Sequence, residues 1–106
     1  MRIIIADREE TVIEEIVRAL ENSGVEYKLE GTTDNSKEGY ELIKTVRPDL
    51  VIMDVRLEES DGLAMMKKLR ADGVISRLII LTEDRDFNTA REAIETGTDS
   101  YLLKPM

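Results

Sequence analysis

The chain contains neither cysteine nor histidine. That removes disulfides, thiolate zinc sites, and imidazole as base, ligand or phosphoryl carrier. Aromatic residues make up only 4% and tryptophan is absent, so the core must be built from aliphatic side chains. No apolar run approaches the roughly 20 residues that a membrane-spanning helix needs. Strand-like character begins almost at Met1, so no secretory leader is expected at the start, and the expected location is the cytoplasm. Basic residues are outnumbered by acidic ones, 15 to 23, for a formal net charge of −8. This argues against direct nucleic-acid contact by these residues, since such affinity comes mainly from Lys and Arg on phosphates.

What is present is a single domain, residues 1–106, with 42% hydrophobic and 36% charged residues. Four short apolar runs each stop on a residue capable of chemistry. Ile3–Ala6 stops on Asp7, Leu50–Met53 on Asp54, Leu78–Leu81 on Thr82, and Tyr101–Leu103 on Lys104. Between them apolar residues recur at helical spacing, the mark of alternating strands and helices. The expected strands are 2–6, about 27–31, 49–53, 77–81 and 100–103. Val12, Ile13, Ile16, Val17 and Leu20 predict a first helix that Gly24 stops, and Tyr40, Leu42, Ile43 and Val46 a second that ends before Pro48. Leu63, Met65, Met66 and Leu69 predict a third helix entered from Asp61-Gly62. Phe87, Ala90, Ala93 and Ile94 mark a fourth, ended by Gly97.

The fold class is therefore α/β: a flavodoxin-like, doubly wound parallel sheet of five strands in the order 2-1-3-4-5. Right-handed crossovers place the first helix on one face and the next three on the other. The carboxyl ends of parallel strands share an edge, and ligands of such sheets bind there. Asp7, Asp54, Thr82 and Lys104 are expected to meet at it, a set suited to a divalent cation and a phosphoryl group. The chain reaches Met106 without a final helix, so it is expected to be truncated before that helix, with apolar surface left on the side of the first one.

In their order and spacing, Ile4-Ile5-Ala6-Asp7, Pro48 through Asp54, Asp61-Gly62, Leu81-Thr82 and Gly97 leading to Tyr101-Leu102-Leu103-Lys104-Pro105 carry a resemblance. The chain resembles, over its whole length, the receiver domains of bacterial two-component response regulators. The resemblance implies a signalling switch, not a turnover enzyme, phosphorylated by a partner histidine kinase with Mg²⁺ bound. It makes Asp54 the phosphoacceptor, Asp7, Asp54 and the Arg56 backbone carbonyl the metal ligands, Thr82 and Lys104 the catalytic partners, and Thr82 with Tyr101 the switch pair. It also implies a linked effector. Asp84-Arg85-Asp86-Phe87 through Ala93-Ile94, and Tyr101 through Pro105, are similar to receivers of AraC-type transcription factors, so that effector is expected to be DNA-binding, outside this chain. The fourth helix and fifth strand are the expected homodimer face.

Three departures bear on the pocket. Arg8 stands where the family usually has a second acid, and a guanidinium beside Asp54 is expected to weaken Mg²⁺ binding. Glu58 replaces a usual proline, leaving the loop less stiffened and adding negative charge, and Glu83 replaces a small residue, narrowing access. Asp84 and Arg56 stand at positions that in the family influence how water reaches the acyl phosphate. Plainer roles stay open: Asp7 and Asp54 as caps or turn carboxylates, Thr82 as a strand-end residue, Lys104 as a surface lysine, Tyr101 as a half-buried aromatic, Arg8 as a solvent-facing helix start. A rival function is a pseudo-receiver interaction module in which Arg8 replaces the metal. A flavodoxin-type cofactor domain or a small phosphatase lacks support, because Asp7-Arg8-Glu9-Glu10 has none of the glycines of a phosphate-cradling loop.

Overall fold

The computed structural model describes residues 1–105. Five parallel strands, β1 (Arg2–Ala6), β2 (Lys28–Thr33), β3 (Leu50–Met53), β4 (Arg77–Thr82) and β5 (Ser100–Leu103), form one sheet in the order β2-β1-β3-β4-β5. The helices between them are α1 (Glu10–Asn22), α2 (Ser36–Val46), α3 (Gly62–Ala71) and α4 (Phe87–Glu95). The continuous runs Ile3–Ala6 and Leu50–Met53 are buried throughout, as expected of central strands covered on both faces.

Alternate residues of those strands feed two cores. Ile3, Ile5 and Ile52 pack with Val12 and Ile16 of α1. Ile4, Ala6, Val51 and Met53 pack with Ile43, Met66, Leu69 and Ala93 of the other three helices. The helix faces thus agree with the right-handed crossovers expected from sequence. Asn35, Asp61 and Asp86 cap α2, α3 and α4 by accepting from backbone amides, each at 2.7 Å. Gly97 takes a φ of +81° just past α4, a left-handed conformation open to glycine without strain.

Two elements differ from expectation. β2 runs on to Thr33, because Ile5 and Ala6 pair with Thr32 and Thr33 beyond a register shift between Ile3 and Ile4. α4 turns only Ala93 fully inward, leaving Phe87 76% and Ile94 69% exposed. Its small residue lies against the core while its two large apolar ones face out. Beside α1, Ile16, Ala19, Leu20, Ile52, Ile79, Leu81 and Leu102 line an open apolar groove of about 200 Å³. β5 is the last element among the described residues, and Met106 lies outside them.

Candidate functional site

Register alone brings the expected residues together. Ala6 pairs with Met53, so Asp7 and Asp54 follow side by side at the ends of β1 and β3. Thr82 pairs with Leu103, which puts Lys104 one step beyond it at the same edge. Backbone bonds extend the ladders past the strand ends: the Asp54 amide donates to Ala6 O, and the Lys104 amide to Thr82 O, both at 2.9 Å. Gly62 is required here as well, since a Cβ on it would stand 2.7 Å from the Asp54 carbonyl oxygen.

All four side chains are buried, and they touch. Lys104 Nζ lies 2.8 Å from Asp54 Oδ2 and 3.0 Å from Asp7 Oδ2. Thr82 Oγ1 donates to Asp54 Oδ1 at 2.7 Å, and the Arg56 amide donates to the same oxygen at 3.2 Å. Asp7 Oδ1 accepts the Glu9 amide at 2.8 Å, so Asp7 shapes the turn into α1 while facing the lysine. Glu9 Oε2 is a third carboxylate oxygen near the ammonium, at 3.9 Å. Of the plainer roles, the turn role of Asp7 is real but accompanies the ion pair, and Lys104 is no surface lysine.

Electrostatics separates the two aspartates. Burial pushes the Asp54 carboxyl up, yet hydrogen bonds from Lys104, Thr82 and the Arg56 amide outweigh it and hold the group below the ordinary carboxylate range. At Asp7 burial prevails over the Glu9 amide and Lys104, and its carboxyl is raised. Burial pulls Lys104 down, but bonding to Asp54 and Asp7 more than restores it, leaving the ammonium above its usual range.

Around this cup the loops are tied to one another. Asp84 donates its amide to Thr82 Oγ1 at 3.2 Å, and its carbonyl accepts the Tyr101 hydroxyl at 2.9 Å. Its carboxylate stands 3.9 Å from Arg56 Nη2, joining the loops that follow β3 and β4. Tyr101 is half-buried against the core of α2, α3 and α4.

Three expectations are corrected. Arg8 is exposed and pairs with no carboxylate among the described residues, so the cation beside Asp54 is Lys104 and not a guanidinium. Side-chain direction past Ala6 is set by the Asp7 turn, which sends Arg8 outward. Glu58 does not leave its loop loose. Its backbone forms a bridge with Asn35, its amide donating to Asp34 O and its carbonyl accepting the Ser36 amide, both at 2.9 Å. Glu83 is exposed and makes no hydrogen bond or ion pair among the described residues; nothing places it over Asp54.

Sequence reasoning missed Glu9 as a neighbour of Lys104, and it missed Ser36. The latter is a buried hydroxyl 2.8 Å from Ser60 Oγ, fastening the loop after Asp54 to the start of α2. A polar residue at a helix start inside an otherwise ordinary capping sequence carries no signal of that contact.

Residues 3–106 match the family model described as "Response regulator receiver domain". The chain belongs to the response regulator receiver domain family. It is 34% identical to the uncharacterized transcriptional regulatory protein YesN of Bacillus subtilis (strain 168) over 98% of this receiver chain and 28% of that protein. It is 30% identical to the alkaline phosphatase synthesis transcriptional regulatory protein PhoP of the same organism, over 98% of this chain and 42% of that one. The receiver thus spans less than half of either relative's length. Among solved structures, the signal receiver domain of the putative response regulator NarL from Mycobacterium tuberculosis superimposes with a TM-score of 0.89 at 27% identity, over 99% of this chain and 84% of that one.

Proposed function

We propose that this receiver is a phosphoryl-accepting switch whose acceptor is Asp54, charged by a histidine kinase and read by an effector domain. The observation that carries it is the Asp54 carboxylate held between Thr82 Oγ1 and Lys104 Nζ at 2.7 and 2.8 Å. Taking Asp7, Asp54 and Lys104 out of water costs about as much as their attraction returns, so stability alone does not call for the triad. Chemistry does.

Asp54 is deprotonated at neutral pH, as a nucleophile must be. One carboxylate oxygen attacks phosphorus, the bond from phosphorus to the donor's leaving atom breaks, and its electron pair departs with that atom. The barrier lies in bringing anion to anion, so positioned positive charge and hydrogen-bond donors are what catalysis needs. Lys104 supplies an ammonium and Thr82 a hydroxyl, already aimed at the reacting group. A divalent cation fits the remaining donors: Asp7, Asp54 and the Arg56 carbonyl offer oxygens, and carboxylates outnumber ammoniums in the cup. When bound, Mg²⁺ would neutralise charge on the phosphoryl oxygens. With Arg8 turned to solvent, the pseudo-receiver reading loses the contact it required.

After transfer, about −1.5 to −2 charges stand where one stood. Thr82 then bonds a phosphoryl oxygen, and its link through Asp84 to Tyr101 carries the change to α4 and β5. Phe87 and Ile94 are exposed there, and we place partner or homodimer contact on that face. The regulators it resembles are named as transcriptional, which supports an effector that acts on DNA; we place that effector in the AraC or a related class and the protein in the cytoplasm. The test is intact mass measurement after incubation with acetyl phosphate and Mg²⁺. The native chain gains one phosphoryl group and Asp54→Asn gains none; equal labelling of both contradicts the assignment.

A further inference from the structure

We infer that Ser36 is a positioning residue for phosphoryl transfer, its buried hydroxyl clamping a strained turn at Glu59 so that the Arg56 amide stays on Asp54. The inference rests on the phosphoryl-accepting reading above and deepens it. Glu59 has a φ of +79°, a left-handed conformation that residues bearing a Cβ rarely adopt. Its side chain is exposed and makes no hydrogen bond or ion pair among the described residues, so it gives that backbone no support. Strained conformations of this kind persist only where the surroundings over-determine them, and they cluster at functional sites.

The support comes from α2. The buried Ser36 hydroxyl donates to the Glu58 carbonyl at 3.2 Å and accepts from the Ser60 amide at 2.9 Å and the Ser60 hydroxyl at 2.8 Å, so its one proton and both lone pairs are engaged. The same Glu58 carbonyl takes the Ser36 amide at 2.9 Å. One residue thus holds the chain on both sides of Glu59. Upstream, Val55 and Leu57 are buried, and Arg56 between them gives its amide to Asp54 Oδ1 at 3.2 Å. A turn released at Glu59 relaxes toward ordinary φ, and the movement passes back through Glu58 and Leu57 to that amide. Asp54 then loses a donor that fixes the direction of its carboxylate, and rates fall steeply when an attacking group is misplaced.

Two readouts test this: the first-order rate of labelling at saturating acetyl phosphate and Mg²⁺, taken on folded protein without denaturant, and hydrogen exchange at the Arg56 amide, which involves no phosphorylation. In Ser36→Ala labelling is expected to slow about tenfold, and Arg56 exchange to quicken about tenfold as the loop opens locally. Adding Glu59→Gly frees the left-handed turn of strain and is expected to return both rates to within about threefold of native, although it restores none of the lost hydrogen bonds. A merely supporting hydroxyl would lower the urea midpoint of Ser36→Ala and leave both rates native. That result overturns the inference, as does a slowing that Glu59→Gly fails to relieve. Labelling of the native chain that persists in Asp54→Asn overturns the phosphoryl-accepting reading and the role in transfer with it, whereas native labelling lost in Asp54→Asn but unslowed in Ser36→Ala overturns the role of Ser36 alone.

Discussion

The Thr82 hydroxyl donates to Asp54 at 2.7 Å while its oxygen accepts the Asp84 amide at 3.2 Å. Because the Asp84 carbonyl in turn holds the Tyr101 hydroxyl, Asp54 just past β3, Thr82 on β4, Asp84 in the loop after it and Tyr101 on β5 form one hydrogen-bonded line. Under the proposed function, the contact that a phosphoryl group on Asp54 would take over is thus linked by hydrogen bonds to Tyr101 on β5.

Tyr101→Phe cuts the last link. The loss of one hydrogen bond to a backbone carbonyl is expected to destabilise by about 1 kcal/mol, a small change in a urea midpoint. The larger consequence is uncoupling: acetyl phosphate still labels the variant, but the amide resonances of α4 no longer shift with labelling. Native-sized shifts in the variant would remove Tyr101 from the path.

Replacing Lys104 by Met leaves two buried carboxylates without their cation. Stripping one partner from a buried ion pair costs about 3–5 kcal/mol, and that loss is expected at pH 7 by urea denaturation. It shrinks toward pH 4 as the abandoned carboxylates take up protons. An equal deficit at both pH values would show that Lys104 acts through packing alone.

Asp7 and Asp54 pull stability in opposite directions with pH. The folded pKa of Asp7 is raised, so above the ordinary carboxylate range the folded chain holds a proton the unfolded one has lost, and stability falls as pH rises through that window. That of Asp54 is lowered, so its contribution is present above the ordinary range and is lost as pH falls through the folded value. Asp7→Asn is therefore expected to be more stable than the native chain at pH 7, with the advantage vanishing below the ordinary carboxylate range. A variant less stable than native at pH 7 contradicts the sign.

Arg8 does not reach Asp54, but its charge lies one residue from a carboxylate of the site. Arg8→Asp exchanges a like charge for an opposite one at the rim and is expected to tighten Mg²⁺ binding about tenfold, less at high salt. Isothermal titration measures it; unchanged affinity would show that Arg8 is electrostatically silent.

Much of this was legible in the chain. Ile3–Ala6 and Leu50–Met53 announce central strands because burial on both faces demands unbroken apolar runs, and the residue after each run is at the carboxyl edge whatever the loops do. Past the strand end that rule lapses. Arg8 was expected inside and lies outside, since the Asp7 turn decides its direction, and Glu9, one residue further, returns to the ammonium. Phe87 and Ile94 have helical spacing but not burial, because spacing reports a helix's stripe without saying whether that stripe is covered. Glu58 looked like a lost proline. The bridge to Asn35 that fastens its loop is made by backbone atoms, which side-chain identity does not reveal.

Everything returns to whether Asp54 carries the phosphoryl group. An acyl phosphate is cleaved by borohydride to an alcohol, so treatment with acetyl phosphate and Mg²⁺, reduction, and peptide sequencing locate it by residue. Homoserine at position 54 and at no other aspartate is the predicted result; an unreduced Asp54, or homoserine at Asp7 instead, would contradict it.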